Sequence, residues 1–229
     1  MKTAIYIDGY NFYYSRLKGT PYKWLDIVSL FRDMIALPQQ PDADVVAVKF
    51  FTAPVKASYA RHGARSEQAQ TQYHRALQAK HPDLVNIIQG FHVFEPTTMP
   101  AFQAGIPPNK ENGHRVWLIE EKQTDVNMAL HIYRDAVRDN LQQQIICTND
   151  SDLEPALKLV RTDAPHMQIG LVMPLRPPHA SGQAISNKRL TELAHWTRKH
   201  ILDSELEKAQ LPDTVPTKKK PALKPAHWQ

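Results

Sequence analysis

Ala4-Ile5-Tyr6-Ile7-Asp8-Gly9 is the stretch on which the fold turns. It is a short apolar run without helical period, stopped by an aspartate and a glycine, and it reads as a buried strand ending in a polar turn. Working outward, Val45–Phe51, Leu84–Phe94, Val116–Ile119, Gln144–Thr148 and Gln168–Met173 repeat that pattern as five more strands. Pro96 to Asn112 reads as a loop rich in Pro and Gly. Helical spacing fills the gaps between strands. Residues 24–35 carry Leu25, Val28, Phe31 and Ile35, and residues 58–80 continue as a second helix. Residues 124–139 set Val126, Ala129, Leu130, Tyr133 and Val137 on one inward stripe. Residues 152–161 turn Leu153, Ala156, Leu157 and Val160 inward, and residues 187–201 form a last helix. Strand–helix alternation of this kind predicts an α/β fold with a mostly parallel central sheet flanked by helices.

The bulk composition bounds the rest. The chain has 229 residues, 42% of them hydrophobic, which suits one compact α/β domain with an extension. The expected organisation is a domain over residues 1–175, a helical extension over 176–210 that packs on it, and an extended, partly mobile Pro/Lys-rich tail over 211–229. No apolar run approaches the roughly 18 residues of a membrane span. Asp8 interrupts any signal-peptide core, so a cytoplasmic protein with no membrane partner is the expectation. The single cysteine, Cys147, leaves no disulfide framework and no CxxC zinc pair. The net charge of +5 is compatible with nucleic acid, and residues 201–229 contribute only +1 of it. A homo-oligomer is left open.

Acids gather where such a sheet binds ligands, beyond the carboxyl ends of its strands. Asp8 ends the first strand, Asp125 opens the helix after the fourth, and Asp150 and Asp152 follow the fifth. Each has an ordinary reading as a turn stop or helix cap. However, Asp125 borders the apolar stripe and so points inward, and one cap does not need both Asp150 and Asp152. Carboxylates crowded at one sheet edge repel one another unless a cation sits between them. An oxygen-only cluster suits Mg2+ or Mn2+ rather than zinc. The chain has no GxxxxGK[ST], GxGxxG, GxSxG or HExxH motif.

Three segments carry a family resemblance. Ile7-Asp8-Gly9-Tyr10-Asn11-Phe12 resembles the opening Asp-x-x-Asn motif of NYN-domain proteins, and Lys122-Gln123-Thr124-Asp125-Val126 their central Lys-x-x-Asp-Val motif. Asn149-Asp150-Ser151-Asp152-Leu153 resembles their Ser-Gly-Asp-Ser-Asp-Phe motif, with Asn149 where glycine is common and Leu153 for Phe. Lys224-Pro225-Ala226-His227-Trp228 is similar to the tail of bacterial members. The resemblance implies a PIN-like, Rossmann-like three-layer fold and Mg2+- or Mn2+-dependent endoribonucleolytic cleavage. It also implies an acidic centre of Asp8, Asp125, Asp150 and Asp152 that binds the metal, with Asn11 beside it. Some family members are regulatory, so a catalytically silent RNA-binding or adaptor module is the alternative, and a DNA-directed nuclease a third reading.

RNA, single-stranded or structured, needs a grip outside the acids. On a helix over 58–80, Arg61, Arg65, Gln68, Gln72 and Arg75 fall on one outward stripe, which is equally an ordinary wet face. Lys122 is a candidate for holding a phosphate near Asp125, and Arg176, Lys188 and Arg189 for further contacts. Gly9 is expected to let the substrate backbone approach. Tyr10, Tyr13 or Tyr14, where exposed, could stack bases.

Overall fold

The computed structural model describes residues 1–138, 140–177 and 187–228. The strands are β1 (Lys2–Asp8), β2 (Asp44–Thr52), β3 (Val85–Gln89), β4 (Phe91–Pro100), β5 (Gly113–Lys122), β6 (Gln143–Cys147), β7 (Gln168–Val172) and β8 (Trp196–Arg198). Six of them form one sheet in the order β3-β2-β1-β6-β7-β8, and every pairing in it is parallel. Its central strands are buried on both faces, which is why they read as unbroken apolar runs.

Alternation along β1 feeds two cores. Ile5 and Ile7 face a layer made by α1 (Gly9–Phe12), its π-helical continuation Tyr13–Leu17, a π-helical segment Ser29–Ala36 leading into α2 (Leu37–Gln39), and α3 (Ala64–Lys80). Ala4 and Tyr6 face α4 (Thr124–Arg138), α5 (Glu154–Asp163) and α6 (Lys188–Leu193). The chain winds outward from β1 through β2 and β3, then returns to the other side of β1 at β6. The direction of winding therefore switches between β1 and β6, and a crevice opens there beyond the strand ends.

Four expectations are corrected. First, the inward stripe of α4 is Met128, Ile132, Asp135 and Ala136, whereas Val126 and Leu130 are each 61% exposed and Val137 is also exposed. Asp135 disguised the true stripe. Its buried carboxylate accepts from the Tyr6 hydroxyl at 2.8 Å and pairs with Lys49 and Arg134. Second, β4 and β5 do not join the sheet; they pair antiparallel as a separate two-stranded ribbon that includes most of the expected 84–94 strand's end and the start of the expected loop. Gly90 makes the break, because a Cβ there would collide with the Lys122 carbonyl and the Thr124 hydroxyl. Third, the expected helix over 187–201 is the shorter α6 followed by strand β8, and positions 178–186 of the expected extension lie outside the described residues.

Fourth, the tail docks. After α7 (Asp203–Lys208), β9 (Thr214–Val215) and β10 (Ala222–Leu223) form a small hairpin that buries Val215 and Ala222. Trp24 Nε1 donates to the Pro212 carbonyl at 2.8 Å, and the Trp228 ring lies 6.3 Å from Trp24 and 5.8 Å from Tyr73. Among the described residues no helix is long and apolar enough to cross a membrane.

Candidate acidic active site

Asp8 leaves β1 at the switch point, 3% exposed, and caps α1. Its Oδ1 accepts from the Asn11 N–H at 2.9 Å and its Oδ2 from the Thr148 hydroxyl at 3.0 Å. The Asn11 side-chain oxygen in turn accepts from Asn149 N–H at 3.0 Å, so Asn11 ties the β1 turn to the loop after β6. In that loop Asp150 caps a single 3-10 turn by accepting from Asp152 N–H at 3.0 Å. Asp125 enters from α4. Asp8, Asn11, Asp125 and Asp150 line one cleft of about 250 Å3 together with Tyr10, Tyr14, Ser15 and Glu121.

Burial pushes the Asp8 carboxyl up to about 6, and the negative charges of Asp125 and Asp150 add to that, against the hydrogen bonds from Asn11 and Thr148. Asp125 is raised by burial and then by Asp150, Glu121 and Asp152. The acids therefore sense one another as a single field of negative charge. All the donors are oxygens, which fits a hard divalent cation. Among the described residues no three His, Cys, Asp or Glu side chains stand close enough to hold an ion by themselves. An ion here would take one or two carboxylates and complete its shell with water or phosphate oxygens, the usual pattern for Mg2+.

Glu121 was not singled out from the sequence. Its carboxylate accepts from Thr124 N–H at 3.1 Å and from the Thr124 hydroxyl, capping α4 and holding Asp125 at the cleft. The signal was strand alternation in β5: Glu121 and Lys122 must face opposite ways. Accordingly Lys122, the expected phosphate contact, is exposed and pairs with Glu120 at 2.8 Å, outside the cleft lining. Gln123 makes the turn between β5 and α4 in the left-handed region, at φ 76°.

The other positions sort by distance from the cleft. Asp152 is exposed and does not line it, although its charge reaches Asp125. Lys188 is exposed at the start of α6, whose cap residue Asn187 donates its N–H to the Asn149 side chain at 2.9 Å. Arg61 lies in the turn before α3, and Arg65 in its first turn; both are exposed. Arg75 does not belong to an open stripe, because its guanidinium donates to Thr217 at 3.3 Å and to the Lys220 carbonyl of the docked hairpin. Gly9 is required by the sheet itself: a Cβ there would meet the Phe51 carbonyl at 2.5 Å.

One wall of the cleft is aromatic. Tyr10 and Tyr14 stack at 6.2 Å with 12° between their planes. His92 Nδ1 lies 3.1 Å from the Pro54 carbonyl and donates there, and its Nε2 shares a hydrogen bond with the Tyr10 hydroxyl at 3.0 Å. A larger groove of about 440 Å3 runs along edge strand β3 beside Lys49 and Arg134, away from the acids. Both of those cations are paired with Asp135, so the acidic cleft is the better candidate.

The profile of the NYN domain matches residues 2–188. This chain belongs to the NYN domain family. Its NYN domain thus has a nuclease-type fold, with the acidic cleft at the switch point. The chain is also 38% identical, over 244 aligned residues, to 6-hydroxy-3-succinoylpyridine 3-monooxygenase HspA of Pseudomonas putida (strain DSM 28022 / S16), covering 100% of this chain and 75% of that relative. A solved structure of a protein of unknown function from Vibrio parahaemolyticus RIMD 2210633 aligns with 88% of this chain and 93% of its own, at 15% identity and a TM-score of 0.47.

Proposed function

We propose that this NYN domain is a Mg2+- or Mn2+-dependent endoribonuclease that hydrolyses RNA phosphodiester bonds in the cleft between Asp8, Asp125 and Asp150. The observation that carries the reading is the convergence of three carboxylates, from the ends of β1 and β6 and the start of α4, on one cleft at the switch point. A bound divalent ion would supply charge neutralisation at the phosphate and a water of lowered pKa. Asp150 and Asp125 would hold it at the open side. Asp8, buried and fixed by two hydrogen bonds, would set the inner edge of the site and accept a proton from the attacking water. Asn11 keeps the two acidic loops in register. Lys188 and Arg65 are exposed cations outside the cleft, available to phosphates further along the strand.

The test is Asp150→Asn. Asn caps a helical turn as well as Asp does, so the fold is kept, while a hard anionic ligand and one source of repulsion are removed. The variant should lose cleavage of mixed cellular RNA in Mn2+, and the wild type should lose it in chelator. In melting scans the metal-free variant should be as stable as wild type or more so, and should gain less from Mn2+. Full activity in the variant, or equal metal shifts in both proteins, would remove Asp150 from the site, whereas no metal-dependent cleavage by the wild type would favour a silent adaptor. Single-stranded DNA in the same assay separates RNA from DNA as the substrate.

A second reading comes from the 38%-identical relative, which is named for oxygen insertion into a hydroxypyridine. The Tyr10–Tyr14 pair offers a small planar ring a surface at the cleft. Incubation with 6-hydroxy-3-succinoylpyridine, O2 and reduced nicotinamide tests it; an oxygenated product lost in Tyr14→Ala would support this reading over hydrolysis.

A further inference from the structure

The cleft does not end at its aromatic wall. The unbroken register of β4 with β5 sorts the ribbon into two faces. His92 and Glu121, opposite one another, lie at the cleft end of one face. Continuing outward on that same face come Phe94, then Trp117, then Arg115. Trp117 is 68% exposed, and Tyr59, whose ring lies 6.4 Å from Phe94, is 69% exposed. From His92 to the position opposite Trp117 the strand advances roughly 13 Å, enough to serve several successive bases.

Charge is sorted in the same way. The far face of the ribbon carries Glu95, Glu120 and Lys122, with Glu120 and Lys122 paired. Beyond Glu121 the near face carries no carboxylate; its charge is Arg115, and the exposed Arg61 follows Tyr59 by two positions. Open aromatic rings flanked by guanidinium groups fit unpaired bases on a phosphate backbone. A duplex hides its base faces in its own stack, so the fit is to a single strand.

Resting on the nucleic-acid reading of the cleft, we infer that the β4–β5 ribbon is a stacking track for single-stranded nucleic acid, leading from Trp117 and Phe94 to the acidic cleft. The track makes the enzyme select unpaired segments and orients the strand along the ribbon.

The experiment is fluorescence polarisation of a labelled single-stranded RNA 12-mer and of its duplex, titrated with the full chain in chelator. Binding is then read without cleavage, so a failure of the hydrolytic reading leaves this test intact. Trp117→Ala and Phe94→Ala should each weaken single-strand binding about tenfold, and Trp117→Phe, which keeps a π-face, should retain it. Arg115→Gln should reduce the slope of log affinity against log salt by about one. Duplex affinity should be weaker and insensitive to Trp117→Ala. Far-UV circular dichroism identifies any variant that has lost its fold, and Trp117→Phe with Arg115→Gln then carries the decision. Unchanged single-strand affinity in the aromatic variants would overturn the inference. So would equal losses on the duplex, or sedimentation showing that Trp117→Ala splits a dimer without altering RNA affinity, which would give this face to a second copy of the chain.

Discussion

Two β-hairpins stand outside the parallel sheet, and they are opposites. The β4–β5 ribbon has ten paired positions, yet its Phe94, Met99 and Trp117 are exposed. The β9–β10 hairpin has two paired positions, yet Leu211, Val215 and Ala222 around it are buried and Trp228 packs on Trp24 and Tyr73. A hydrogen-bonded ladder exchanges water partners for protein partners at little net gain, whereas apolar burial contributes about 25 cal/mol per Å2. The short hairpin therefore belongs to the core and the long ribbon to the surface. Length of secondary structure is a poor guide to which segment the fold depends on.

The sharpest way to break that contrast is truncation after Pro212. It uncovers Trp24 and Tyr73 and leaves the Arg75 guanidinium without its Lys220 and Thr217 partners. A loss of about 5 kcal/mol or more is expected, a fall of roughly 10–20 °C in Tm for a chain of this size. A melt within a few degrees of wild type would place the hairpin with the ribbon, as an accessory.

Acid offers a subtler probe of the docked side. Asp26 donates its N–H to the Ala209 carbonyl, just before the hairpin, and its carboxylate meets Lys80 and His81 at the end of α3. Burial alone would raise this carboxyl, but the hydrogen bonds from His81, Lys80 and Ser29 and the charge of His81 outweigh it and hold the pKa at about 2. The folded value lies below the unfolded one of about 3.9, so its contribution is complete above pH ~4 and is lost as pH falls toward 2. That loss should be on the order of 1–2 kcal/mol, and Asp26→Asn should flatten the acid limb of a Tm-against-pH curve. An unchanged limb would show that other carboxylates govern acid unfolding.

The smallest effect belongs to the ribbon itself. Replacing residues 97–116 by an Asn-Gly turn should change stability by about 1 kcal/mol or less, a Tm shift of about 2–4 °C. A fall comparable to that of the truncation would mean that the ribbon braces the fold, and the contrast between the two hairpins would fail.

The sequence was readable where one force acted alone. β1, β2, β6 and β7 are apolar because the sheet buries them on both faces, and the acids Asp8, Asp125 and Asp150 stand out at the ends of elements. It was misread where two forces met. On α4 a buried but neutralised Asp135 broke the true stripe, and the exposed Val126 and Leu130 supplied a false one. In the ribbon, Pro96 and Pro100 suggested a loop, although a two-stranded ribbon leaves every strand an edge where proline is tolerated. In β8, three residues sat inside a stretch with helical spacing. The tail looked too polar to dock, because its anchors are single apolar residues spaced between lysines rather than a run.

The docked tail also has a consequence in time. Trp24 leaves the ribosome 188 residues ahead of its partner Pro212, and further ahead of Trp228, at synthesis rates of roughly 5–20 residues per second. For many seconds the nascent chain carries an uncovered tryptophan and an unfinished seam beside α3. Docking of this tail, rather than formation of the sheet, is then the event that seals the fold, and a product cut before Pro212 would remain a client for chaperones and proteases.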